Sequence, residues 1–130
     1  MLVVDASVAV TALLASDGFG FLDGEQLVAP PLLWPETRSA LHVMAFRGEE
    51  ARETTRAAAH LLDEVRIEPR APAALGRDSW RIADELGWGK TYDAEYVALA
   101  QILDCRLLTL DMRLRRGTDH LGFVVTPGEL

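Results

Sequence analysis

Lys90–Arg113, KTYDAEYVALAQILDCRLLTLDMR, is the stretch whose reading decides the fold. It predicts an amphipathic helix from Asp93 to about Leu103, a short turn, and a buried strand over Arg106–Leu110. A helix of about 11 residues at roughly 1.5 Å each rises about 16 Å. A strand of about five residues at roughly 3.3 Å each returns the same distance. Asp93, opening the helix, and Asp111, just past the strand, therefore end at one edge of the fold.

The same grammar runs outward in both directions. Met1–Val4 is a short apolar run, and Asp5-Ala-Ser then opens a helical pattern carrying Val8, Val10, Leu13 and Leu14. Leu27–Ala29 reads as a second strand, closed by Pro30-Pro31. A helix begins near Pro35 and ends before Gly48. Glu49–Val65 is a further helix, with Ala57, Ala58, Leu61, Leu62 and Val65 on its apolar face. Arg66–Glu68 is a short strand, Pro72 to Leu86-Gly87 a helix, and Gly122–Val125 a last strand after a brief helical turn. No repeat, linker or low-complexity tract interrupts the order, so one domain over residues 1–130 is expected.

Strands alternating with helices imply an α/β fold: three layers, α/β/α, around a central, mostly parallel sheet of four to five strands. In such a sheet, strand C-termini and helix N-termini share one edge, where ligands bind. Asp5 and Asp111 end strands, and Glu36 and Asp93 begin helices. Topology thus brings four carboxylates to one edge. Taken singly, each has an ordinary structural role, as N-cap or first-turn acid. Taken together, four clustered carboxylates repel and raise one another's pKa unless a cation neutralises them. Oxygen donors without His or Cys suit Mg²⁺ or Mn²⁺ rather than zinc. Among the hydroxyls beside the acids, Ser7, Thr91, Tyr92 and Thr109, orienting a carboxylate is the commoner task; Ser7 and Thr109 are chosen for it. Glu95 is a weaker candidate for an outer-sphere role, and Asp119 for an auxiliary ligand. His42, His60 and His120 lack metal-ligand spacing.

Composition narrows the rest. The 130 residues are 49% hydrophobic and 25% charged, with a formal net charge of −7. That charge argues against non-specific nucleic-acid binding over the whole surface. Locally, however, Arg106, Arg113, Arg115 and Arg116 surround Asp111, and Arg113 is the favoured phosphate contact. The single Cys105 reads as core rather than nucleophile, and a reducing, cytoplasmic setting fits. No apolar run reaches membrane-spanning length, and the first residues lack the features of a signal peptide.

VVDASV at Val3–Val8, P-x-L-L-x-x-E from Pro30 to Glu36 with Ala40-Leu41 after it, YDAEYVALA at Tyr92–Ala100 and LLTLDMRL at Leu107–Leu114 together resemble the PIN-domain nucleases, in particular the VapC-type toxins. The motifs follow the family's order and spacing over nearly the whole chain. The resemblance implies Mg²⁺- or Mn²⁺-dependent endoribonuclease activity leaving 5′-phosphate and 3′-hydroxyl ends, inhibition by a small antitoxin protein, and homodimers. It carries the family's acidic quartet, as metal ligands and catalytic residues, to Asp5, Glu36, Asp93 and Asp111. Trp34, Met44 and Phe46 are then expected to help form a hydrophobic groove for an antitoxin helix.

The competing readings are a phosphoacceptor signalling domain, a haloacid-dehalogenase-type phosphatase and a non-catalytic PIN-like binding domain. The first wants an adjacent acidic pair after strand one and a lysine near the last strand; Ala6-Ser7 follow Asp5, and the only lysine is Lys90. The second wants Asp-x-Asp, where position 7 is serine. The intact quartet disfavours the third.

Overall fold

The computed structural model describes residues 1–130. Five strands, β1 (Leu2–Val4), β2 (Leu27–Ala29), β3 (Ile67–Pro69), β4 (Arg106–Leu108) and β5 (Val124–Val125), form one sheet in the order β3-β2-β1-β4-β5. Every pairing is parallel. The strands are short, and the central ones are buried on both faces apart from the exposed Arg106 that opens β4; LVV, LVA and Leu107-Leu108 are the continuous apolar runs that such burial demands.

Six helices cover the sheet: α1 (Ala6–Leu14), α2 (Leu33–Phe46), α3 (Arg52–Leu62), α4 (Leu75–Leu86), α5 (Tyr92–Ile102) and α6 (Met112–Gly117). The strand order moves outward from β1 to β3, then jumps across β1 to β4. Right-handed crossovers therefore place α1–α3 on one face and α4–α6 on the other. Packing agrees: α1, α2 and α3 pack on one another, while α5 packs on α4, β1 and β4. The order in which strands are added reverses between β1 and β4, so the topological switch point lies there. No helix is long and apolar enough to cross a membrane.

The organising stretch folds as expected in outline and differs in two respects. α5 is not amphipathic: Ala94 and the whole run Tyr96–Ala100 are buried, because α5 is enclosed by the sheet on one side and α4 on the other. The turn to β4 is tight because Asp104 adopts a left-handed conformation (φ 51°) while the Cys105 N–H bonds back to the Ala100 carbonyl. β4 also stops at Leu108, two residues early. The N–H groups of Leu110 and Asp111 leave the ladder for the side-chain oxygens of Ser7 and Thr109.

Elsewhere, α2 starts two residues before Pro35, which is tolerated there because the first N–H groups of a helix have no intrahelical partner. α3 buries Thr55, Ala58 and Leu62 against α1 and α2, leaving Ala57 and Leu61 exposed rather than on its packed face.

Candidate active site

Asp5 lies one residue beyond β1, opposite Thr109, by extension of the register that pairs Val4 with Leu108. It is only 5% exposed and is the one charged residue in the buried set. Three donors hold it. Its Oδ1 accepts from Ser7 Oγ at 2.5 Å and from the Val8 N–H at 3.1 Å; its Oδ2 accepts from Thr109 Oγ1 at 2.5 Å. Each hydroxyl spends its proton on Asp5 and accepts a backbone N–H in return, Leu110 N–H on Ser7 at 2.9 Å and Asp111 N–H on Thr109 at 3.0 Å. The end of β1 is thereby stitched to the chain leaving β4. A carboxylate has about four acceptor positions, so three bonds leave roughly one free.

Asp111 caps α6, accepting from the N–H groups of Arg113 at 2.9 Å and Leu114 at 3.3 Å. The capping roles of Asp5 and Asp111 are therefore real, and both residues also stand at the carboxyl edge. Asp93 sits in the first turn of α5 and Glu36 in that of α2. The Tyr96 hydroxyl donates to Glu36 Oε1 at 2.9 Å.

Burial first, and neighbouring charge second, act on Asp5, Glu36 and Asp93. Burial pushes the Asp5 carboxyl up, hydrogen bonds from Ser7, Thr109 and Val8 oppose this, and Asp93 adds to it. Desolvation raises Glu36, the Tyr96 hydroxyl opposes it, and Asp93, Asp5 and Glu95 raise it further. Desolvation raises Asp93, Asp111 adds to it, and Arg113 pulls it back. Tyr96 is wholly buried, and burial, followed by the neighbouring Glu36, keeps its phenol protonated far above the ordinary range. The carboxylates do not close into a cage, since no three His, Cys, Asp or Glu side chains stand at metal-ligand spacing. An oxygen-only edge of closely placed, partly desolvated carboxyls suits a hard cation that retains most of its waters and takes few protein ligands, the habit of Mg²⁺.

Among the other residues singled out from the sequence, Ser7 and Thr109 contact Asp5, but Thr91 and Tyr92 make no bond to a carboxylate. Glu95 is raised by desolvation and stands near enough to Glu36 to affect it. Arg115 is not free for a phosphate: its guanidinium grips both oxygens of Glu129, at 2.9 and 2.7 Å, and Asp119 at 2.8 Å. The same ion pair takes up Asp119, so its expected auxiliary role at the acids has no contact behind it. Arg113 remains exposed and close enough to Asp93 to lower its pKa. Cys105 is partly buried against the core, and burial raises its thiol. Tyr96 does not stand out in the sequence; a polar tip on a residue predicted as core, one helical turn beyond Asp93, is the available signal.

Comparison with known proteins agrees with this geometry. The family model described as PIN domain matches residues 2–119. A VapC ribonuclease of Mycobacterium bovis and Ribonuclease VapC9 of Mycobacterium tuberculosis are each 36% identical over 116 residues, covering 88% of this chain and 88% of each relative. The crystal structure of PAE2754 from Pyrobaculum aerophilum superposes with a TM-score of 0.74 at 26% identity, covering 98% of this chain and 91% of that one.

Burial at this edge, and behind it repulsion between the acids, sets a pH dependence. A carboxyl whose folded pKa exceeds its unfolded value, about 3.9 for Asp, stabilises the fold below that value, and the contribution is lost as pH rises through the folded pKa. Asp93 is such a group. In chelator-treated protein, Asp93→Asn should raise the melting temperature at pH 7, and the gain should shrink towards zero near pH 4. Thermal unfolding across that range checks this; equal melting temperatures at pH 7 would contradict a raised Asp93 carboxyl.

Proposed function

The chain belongs to the PIN-domain family, and on that premise we propose that it is an Mg²⁺- or Mn²⁺-dependent endoribonuclease acting as the toxin of a toxin–antitoxin pair. What supports this reading is that Asp5 and Asp111 follow strands, Glu36 and Asp93 begin helices at the same edge of a parallel sheet, Asp5 and Asp93 both act on Glu36, and Asp111 acts on Asp93.

In this reading the four carboxylates would hold the cation, some of them through its retained waters, and it would supply charge neutralisation at the scissile phosphate and a more acidic attacking water. The protein's part is to place the donors. Asp5 is rigid, fixed by Ser7 and Thr109, and offers its one remaining acceptor position. Asp93 and Asp111 flank it from the starts of α5 and α6. Glu36 reaches in from α2. Arg113, unpaired beside Asp93, contacts a backbone phosphate of the RNA. The products would carry 5′-phosphate and 3′-hydroxyl ends, and the setting would be cytoplasmic, with the toxin a homodimer.

The partner would be a small antitoxin protein. An apolar groove of about 370 Å³ between α2 and α3 has Leu41, Ala45 and Ala59 on its floor and Phe46, Arg52 and Arg56 among its walls. Phe46 is 82% exposed, no acid lines the groove, and neither Arg52 nor Arg56 has a salt bridge, on a protein of net charge −7. An acidic amphipathic helix of the antitoxin fits that surface. Met44 does not line it, and Trp34 packs instead between the two core clusters, so of the three expected residues only Phe46 serves.

Purified protein incubated with total cellular RNA should cleave it with Mg²⁺ or Mn²⁺ and not with chelator. Asp93→Asn should cost more than the roughly 10- to 100-fold typical of losing an outer-sphere partner. Wild-type rates in that variant would refute the assignment. Arg113→Ala should weaken binding alike across RNA sequences and reduce the salt slope by about one; an unaltered slope measured by titration against salt would remove Arg113 from the RNA path. Phe46→Asp should release the co-expressed antitoxin on size-exclusion chromatography, whereas undiminished co-elution would place its docking surface elsewhere.

A further inference from the structure

We propose that Tyr96 is a positioning residue: its hydroxyl, delivered from the buried face of α5, fixes the Glu36 carboxylate at the acidic edge for cation binding. The inference rests on the metal-dependent reading above.

Three observations carry it. Tyr96 is completely buried, one of the largest side chains in the chain with no exposure at all. A phenylalanine would fill the same space, and the added hydroxyl only adds a polar group that must find a partner in the interior. The partner it has is Glu36, through a single bond of 2.9 Å to Oε1 across 60 residues of sequence. Glu36, for its part, receives no other side-chain or backbone donor; the fixed donors that surround Asp5 have no counterpart here.

The bond also has a particular direction in the fold. α2 belongs to the helical layer on one face of the sheet and α5 to the layer on the other. Tyr96 lies three residues after Asp93, so one helix presents Asp93 at its first turn and, one turn deeper, reaches to the fourth carboxylate on the opposite layer. A long, half-exposed glutamate at a helix start is free to sample several rotamers. A protonated phenol bound to Oε1 restricts it to those that keep this bond and leave Oε2 without a donor, without neutralising the carboxylate as a lysine or arginine would. Hydrogen bonds to ligating carboxylates are worth roughly 10- to 100-fold in metal affinity or activity.

The test is a double-mutant cycle on Mn²⁺ binding to the RNA-free protein, measured by calorimetry, with RNA cleavage followed in parallel. Tyr96→Phe should keep the circular dichroism spectrum of the wild type and weaken Mn²⁺ binding by roughly 10-fold or more. In a Glu36→Gln background, adding Tyr96→Phe should change Mn²⁺ affinity less than two-fold, because the hydroxyl acts only through Glu36. Glu36→Asp, a change outside the core that withdraws the carboxylate from the phenol while retaining its charge, should reproduce the loss with Tyr96 intact. Wild-type affinity in Tyr96→Phe or in Glu36→Asp, or additive losses in the cycle, would overturn the proposal while leaving the nuclease assignment standing. Failure of the wild type to bind Mn²⁺ would overturn both.

Discussion

Asp5 is a carboxylate buried at the end of the central strand with no cation paired to it, and the architecture of the site follows from how that charge is tolerated. Burying an isolated charge is strongly unfavourable, and hydrogen bonds from neutral donors offset only part of the cost. Ser7 and Thr109 supply two of those bonds; beyond Thr109, whose N–H still pairs with the Val125 carbonyl, the backbone leaves the ladder and Leu110 and Asp111 donate to the same hydroxyls. The sheet ends where it does because Asp5 needs its neighbours' oxygens. What remains unsatisfied is negative charge facing an edge where three more carboxylates converge, an arrangement that gains from a cation and resists protein partners of like sign.

Much of this was legible in the sequence because parallel topology is a strong constraint. Once strand and helix alternate, residues at strand ends and helix starts must share an edge, whatever the errors in element length. Asp5, Glu36, Asp93 and Asp111 needed only that rule. Ser7 and Thr109 were legible for a related reason: one stands a half-turn into the helix after β1, the other in register with Asp5, so both are within reach of it.

Long-range commitments were not legible. Arg115 and Arg113 differ by two positions in an arginine-rich turn, yet Arg115 is consumed by Glu129 and Asp119, and no local pattern announces a partner fourteen residues on. The buried run of α5 defeated periodicity, because a helix enclosed on both sides loses the polar stripe by which amphipathicity is read. α3 erred in the opposite sense: its alanines offered more apolar positions than the packing uses, and Ala57 and Leu61 fell outside it. Tyr96 hid for the same reason as α5, since a tyrosine among alanines, leucine and valine reads as core, and only the folded chain shows where its hydroxyl is aimed.

The contact between Asp5 and Thr109 joins residues 104 positions apart, and this has a temporal meaning. Translation delivers the chain from its amino end, so Asp5 is made almost at once, while Thr109 and Asp111 leave the ribosome only after most of the protein has been synthesised. Until then the first strand carries a carboxylate with one of its fixed donors missing, and the acidic edge lacks Asp111. On the nuclease reading proposed above, a nascent chain would lack a complete acidic site while it is still surrounded by RNA, including the message being read. The site is completed only when β4 stands beside β1 and the two distant parts of the chain close on the same carboxylate.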